Sequence, residues 1–129
     1  MYEFHVTLPM AFDTAIEHLR DVLMSEHLGI VSDVDVQAIF KNKMGKEIPA
    51  YRILGACNPK LADRVISDQP NAGVLLPCNV VVRQTGAKTT EVALLEPGAV
   101  LGLTQSAEAM AVAEEAKAML MRVVDKLSR

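Results

Sequence analysis

Aromatic residues are scarce in this chain of 129 residues, which has three phenylalanines, two tyrosines and no tryptophan. The hydrophobic core must therefore be aliphatic, and few rings are present on which nucleic acid bases or sugars could stack. Positive charge is not in excess either, because 13 Lys and Arg residues stand against 16 Asp and Glu residues and give a formal net charge of −3. Since phosphate-backbone binding depends on clustered cations, the composition speaks against a nucleic-acid partner.

Long apolar runs are missing as well. No stretch approaches the roughly 18 consecutive apolar residues of a membrane span, and no cationic segment leads into the apolar run of a secretory signal. The two cysteines, Cys57 and Cys78, are too few for a disulfide scaffold. We therefore expect a soluble, cytoplasmic protein whose residues 1–129 form a single domain, with no membrane partner.

Alternating apolar and polar residues predict strands, and apolar residues at helical spacing predict helices, in a mixed order along the chain. The predicted strands span residues 2–8, 30–36, 51–56, 74–84 and 89–96, and the predicted helices span residues 11–28, 36–44, 59–67 and the segment from 106 onward. The segment PGAVLGLT is expected to be irregular. Mixed order with a hairpin near the C terminus indicates an α+β fold in which two long amphipathic helices cover one face of a sheet.

Two short sequence blocks hold both cysteines: RILGACNP at 52–59 and VLLPCNVVV at 74–82. With these blocks, and over nearly its whole length, the chain resembles the bacterial and archaeal family known as domain of unknown function 302. The resemblance implies a curved, mostly antiparallel sheet with helices packed on one face, of the kind compared with the TATA-binding-protein fold. It also implies a homodimer, and it implies no particular activity.

The residues around Cys57 allow two interpretations. Asn58 suits a helix N-cap and Pro59 suits the first helical position, so Cys57 is expected at a helix N-terminus, where the dipole favours a reactive thiolate. The alternative is that Cys57 is a small buried residue without chemistry. Cys78 lies inside a β-branched strand and is expected to be packed, with Asn79 on the opposite strand face.

No metal site or cofactor is predicted. The spacing of Cys57 and Cys78 fits neither a redox CxxC motif nor a zinc knuckle, and the three histidines are scattered. Two thiols alone would need histidine or carboxylate partners to hold zinc. The chain also has neither of the glycine-rich spacings of phosphate-binding loops.

A second cluster depends on how the first two strands are arranged. His5 lies on the polar face of the first predicted strand with Glu3, and Asp33 and Asp35 lie on the corresponding face of the second. If these strands are neighbours, an imidazole and several carboxylates converge on one open sheet surface and can act in acid–base chemistry or bind a cation. The alternative is that they are ordinary polar residues on a water-facing sheet.

These observations lead to one preferred function and two alternatives. We expect a small homodimeric binding or sensing domain for an unidentified small molecule. Its predicted ligand surface consists of Cys57, Asn58, Asn79, His5, Asp33 and Asp35. The first alternative is a thiol-dependent enzyme or redox protein with Cys57 as nucleophile and Cys78 as its partner. The second is a structural or interaction domain whose sheet face is only an interface.

Overall fold

A computed structural model describes all residues from Met1 to Arg129. The five strands are β1 (Glu3–Leu8), β2 (Gly29–Asp35), β3 (Tyr51–Cys57), β4 (Cys78–Gly86) and β5 (Thr89–Leu95). The five α-helices are α1 (Phe12–Ser25), α2 (Val36–Met44), α3 (Pro59–Asp68), α4 (Pro97–Leu101) and α5 (Ala107–Leu127). Two short 3-10 helices span Pro70–Leu75 and Gly102–Thr104. None of the helices is both long enough and apolar enough to cross a membrane.

The strands form one antiparallel sheet in the order β1-β5-β4-β3-β2, which confirms the predicted α+β fold. Consecutive strands β4 and β5 pair as the predicted hairpin, whereas β1 and β2 form the two opposite edges of the sheet. Because strands are spaced about 4.8 Å apart, four spacings place β1 and β2 about 19 Å from each other.

Helices α1 and α5 cover one face of this sheet. Alternate residues of the strands point into the aliphatic core beneath them, and the fully buried members are Leu54, Val80, Val82, Val92 and Leu94. A second apolar cluster joins α3 and α4 to the N-terminal half of α5. The end of α1 is also held to α5 by charge, because the Glu26 carboxylate contacts Arg122 Nε and Lys126 Nζ, each at 2.7 Å.

The structure corrects two predicted segments. The fourth strand begins at Cys78 and not at residue 74, because Pro70 opens a 3-10 helix that continues to Leu75 and leaves Val74 exposed. The PGAVLGLT segment is mostly helical: Glu96 accepts a hydrogen bond from the Gly98 amide at the start of α4. Pro97 and Leu101 are buried, so local capping and core packing together order a segment that has no clear periodicity of its own.

A β-bulge in β2 reverses the faces of its second half. Ile30 pairs with Ala56 and Ser32 pairs with the next residue, Gly55, so Val31 is an additional residue in β2. After the bulge, Asp33 lies opposite the buried Leu54 and therefore on the helix-covered side of the sheet. The prediction that Asp33 and Asp35 share a face with His5 is wrong, since strict alternation was assumed across the bulge and the two strands are not neighbours.

Gly55 lies where β2, β3 and the segment before β4 pack closely together. A methyl group at this position would stand 2.2 Å from Ser32 Oγ and 2.5 Å from Pro77 Cγ. The serine hydroxyl can rotate away, but the proline ring is held by its own backbone. The close approach therefore requires glycine.

We expect Gly55→Ala to lower the free energy of unfolding by about 1–3 kcal/mol, the usual cost of overpacking a close contact. Gly73→Ala is the matched control, because no atom lies within 4 Å of a methyl group added there. Urea denaturation of both variants measures the difference. Equal stability of the two variants would show that Pro77 is free to move away from Gly55.

Candidate functional site

The face of the sheet that α1 and α5 leave uncovered carries a groove of about 590 Å³. Two of the predicted site residues, His5 and Asn79, line this groove. Its other lining residues are Tyr2, Glu3, Tyr51, Val81, Arg83, Glu91, Ala93, Leu94 and Leu95. We refer to this site as the open-face groove.

The floor of the open-face groove continues into an apolar row that crosses the sheet. The strand register places Ala93 opposite Val81, Val81 opposite Ile53, and Ile53 opposite Val34. His5 lies opposite Ala93 and ends the row at the β1 edge. An apolar row that crosses four strands is unusual for a sheet face that only water covers.

Two ion pairs flank the row. His5 Nδ1 lies 3.0 Å from Glu3 Oε2, and Arg83 Nη2 donates to Glu91 Oε2 at 2.8 Å across the β4–β5 pair. The hydrogen bond and the charge of Glu3 raise the pKa of His5 above its usual value of 6.5. Glu3 contacts only Nδ1, so the other ring nitrogen, Nε2, has no hydrogen-bond partner within the protein.

Sequence reasoning missed several groove residues. Arg83 shares the strand face of Asn79, and that alternation was the available signal. Glu91 and Tyr51 enter the groove only because the register pairs each of them with Arg83. Strand pairing is a non-local property, so no local pattern could have identified these two residues.

The other predicted carboxylates serve the structure. Asp33 accepts a hydrogen bond from Arg52 Nε at 3.0 Å and also contacts Arg52 Nη2, and this pair lowers the pKa of Asp33. Asp35 accepts a hydrogen bond from the Ala38 amide and caps α2. Both carboxylates lie at the β2 edge, on the far side of the sheet from the open-face groove.

Cys57 and Cys78 come together at a separate, smaller pocket of about 40 Å³, which we call the dithiol pocket. It lies on the helix-covered side, between the ends of β3 and β4 and helices α3, α4 and α5. The pocket is lined by Leu28, Ala56, Cys57, Asn58, Leu61, Ala62, Val65, Leu76, Pro77, Cys78, Leu101, Val112 and Ala116. The six predicted site residues thus fall into three places: the open-face groove, the β2 edge and the dithiol pocket.

Comparison with known proteins agrees with this fold. The family model described as "Domain of unknown function DUF302" matches residues 4–127. The chain belongs to the DUF302 family. A solved structure of an uncharacterized conserved DUF302 protein from Bacillus stearothermophilus superimposes with a TM-score of 0.87 at 26% sequence identity, covering 98% of each chain. Among curated proteins, none matches.

In this DUF302 protein the predicted helix cap is confirmed, and it has a consequence for Cys57. Asn58 Oδ1 accepts hydrogen bonds from the Lys60 and Leu61 amides at 3.1 and 3.2 Å. Since the cap already binds these first amides of α3, they are not free to stabilise a Cys57 thiolate. Burial raises the pKa of Cys57, and burial with the negative charge of Cys57 raises the pKa of Cys78 to about 11.

Stability of the DUF302 protein should therefore fall in alkaline solution. Above pH 9 the Cys78 thiol ionises in the unfolded chain but stays protonated in the folded one. The contribution of Cys78 to the free energy of unfolding is therefore intact below pH 9 and is lost as the pH rises towards about 11. The shift of the Cys78 pKa from 9.0 to about 11 corresponds to a loss of roughly 2–3 kcal/mol in the free energy of unfolding. We expect urea denaturation at pH 8 and pH 10.5 to show a larger loss for the wild-type protein than for Cys78→Ser. Equal losses would contradict the raised pKa.

Proposed function

We propose that this DUF302 protein is a small-molecule binding module whose ligand lies in the open-face groove. The observation that carries the proposal is the amphipathic construction of the groove, in which an apolar floor of Val81, Ala93 and Leu95 is flanked by two ion pairs. Its volume of about 590 Å³ lies within the range of roughly 300–1,000 Å³ typical of ligand pockets.

The charges of the groove define the class of ligand. Glu3 is paired with His5 and Glu91 with Arg83, so the groove presents no large excess of either sign. A neutral or zwitterionic molecule can use the unpaired donors of Arg83 and the amide of Asn79 without leaving a charge unmatched. Tyr51 adds a ring and a hydroxyl at the end of the groove. We therefore propose a small amphipathic ligand with no strong net charge.

A thiol-dependent reaction has less support. A nucleophilic cysteine requires a thiolate at neutral pH, whereas burial raises the pKa of both Cys57 and Cys78. Neither cysteine is in a disulfide, and both are partly buried.

Self-association through the open face is the second candidate function, and the apolar row favours it. Val34, Ile53, Val81 and Ala93 form one continuous line across four strands, which a second copy of the sheet can cover. The flanking ion pairs are suited to such a contact, because Glu3 and His5 of one copy can exchange partners with Arg83 and Glu91 of another. The homodimer and the cytoplasmic location both remain predictions.

The binding proposal is tested by thermal shift with a panel of neutral and zwitterionic metabolites, followed by titration of any molecule that raises the melting temperature. We expect Arg83→Ala to weaken binding at least about tenfold, the effect of losing one charged hydrogen bond. Arg52→Ala is the matched control, since it breaks a comparable cross-strand ion pair on the opposite face of the sheet. Equal weakening by both variants, or no shift with any compound, would count against the groove.

Self-association is tested independently by sedimentation velocity of the wild-type protein and of Val81→Lys and Val31→Lys. If the open face is the interface, Val81→Lys should shift the protein to monomer, because it places a charge in the middle of the apolar row. Val31→Lys should have no effect, since Val31 is the exposed bulge residue at the β2 edge. A monomeric wild-type protein, or a dimer unaffected by Val81→Lys, would exclude the open face as the interface.

A further inference from the structure

Strand β1 forms one edge of the sheet, and alternate residues along it turn their backbone groups away from the sheet. The Tyr2 carbonyl accepts a hydrogen bond from the Glu96 amide at 2.9 Å, which shows that Tyr2 faces the chain of β5. Residues of an antiparallel pair alternate between facing the partner and facing away, so every second residue from Tyr2 to Leu8 faces β5. The amides and carbonyls that point outward are those of Glu3, His5 and Thr7.

The hydrogen bonds elsewhere in the sheet agree with this assignment. Continued through β5 and β4, the same alternation turns the Gln84 amide towards β3, and this amide donates to the Ala50 carbonyl at 2.9 Å. None of the backbone hydrogen bonds outside the helices and strands reaches the outward groups of β1. The β1 edge therefore presents a row of unpaired donors and acceptors.

The two edges of the sheet differ in how well they are protected against pairing with another strand. The β2 edge has a bulge at Val31 and carries the charge of Asp33 on its helix-covered side, and both features discourage pairing. The β1 edge has neither, because its register with β5 is regular throughout. Phe4 and Val6 of β1 are apolar and only partly buried against the core. A regular edge of this kind is a template for a further strand.

The charges of β1 fit a second copy of the same strand. In an antiparallel pair with its two-fold axis at Phe4, Glu3 of each copy lies opposite His5 of the other, with about 5.5 Å between the paired Cα atoms. Opposite charges at such positions stabilise a sheet, and His5 Nε2, which has no partner within its own chain, then meets a carboxylate. A pair centred on His5 instead would place the two imidazoles opposite each other and lose this complementarity.

We propose that two copies of this chain pair through their β1 edges in the register centred on Phe4, which joins their sheets into one continuous antiparallel sheet. A two-fold axis perpendicular to the sheet keeps both uncovered faces on the same side. Since Glu3 and His5 line the open-face groove, the grooves of the two copies adjoin, and each gains Glu3 and His5 of the other copy at its β1 border. This arrangement differs from self-association through the open face, in which the two sheets would stack.

Hydrogen exchange measured residue by residue by NMR tests the interface on the wild-type protein. We expect the amides of Glu3 and His5 to exchange at least about tenfold more slowly in the dimer than in protein diluted to monomer, because pairing gives them hydrogen-bond partners. The Asp33 amide is the matched control: the same alternation points it out of the β2 edge, so its exchange should be equally fast in both samples. Stacked open faces would leave all three amides unprotected.

Sedimentation velocity of charge variants tests the register. His5→Glu places two pairs of like charges opposite each other and should weaken dimerisation at least about tenfold. Combining it with Glu3→His restores opposite charges and should return the dissociation constant to within about threefold of the wild-type value. Val31→Glu is the control, since it adds the same charge at the β2 edge. Circular dichroism shows whether the variants remain folded.

Several results would overturn β1 pairing. A monomeric wild-type protein would do so, and the edge would then be covered by water or by a strand of another protein. A dimer that His5→Glu leaves unchanged, that Val81→Lys dissociates, or that does not slow the exchange of the Glu3 and His5 amides would do so as well. Failure of the groove proposal would leave these results unchanged, because the pairing of β1 needs no ligand.

Discussion

The burial of one sheet face beneath α1 and α5 is the constraint on which the rest of the structure depends. Strand side chains alternate between faces, so Leu54, Val80 and Val92 can enter the core only if the residues between them point the other way. Most residues of the open-face groove are those intervening residues. Its apolar row and its two ion pairs are therefore held in place by the packing of the opposite face, and a strand slip of one residue would exchange core and groove completely.

The same alternation separates the two candidate sites. The open-face groove belongs to the uncovered side, whereas the dithiol pocket lies on the covered side, at the junction of the two apolar clusters. Gly55 and Pro77 lie between them: Gly55 pairs with Asn79 of the groove, and Pro77 both packs against Gly55 and lines the dithiol pocket. Such close packing makes the β3–β4 pair a rigid support for both sites.

The sequence predicted those site features that depend on neighbouring residues and missed those that depend on residues distant in the chain. Asn58 was identified as a helix cap because capping depends on residues two or three positions away, and the structure confirms it. The cluster of His5 with Asp33 and Asp35 failed for two reasons. A bulge at Val31 changed the face of the aspartates, and the strand order put β1 and β2 at opposite edges of the sheet. Neither property is expressed in the local pattern of apolar and polar residues.

By itself, the sequence determined the α+β class, the positions of most strands and helices, the capping of α3 by Asn58, and the family. These properties depend on short-range periodicity, on local hydrogen bonding or on two distinctive blocks. Only the tertiary structure decided that His5 lies opposite Ala93, that Arg83 lies opposite Glu91, and that Cys57 and Cys78 line the same pocket. The physical reason is that a sheet joins segments distant in the chain, and their register is selected by packing of the whole core. Cys57 and Cys78, separated in sequence, thus became two walls of one pocket.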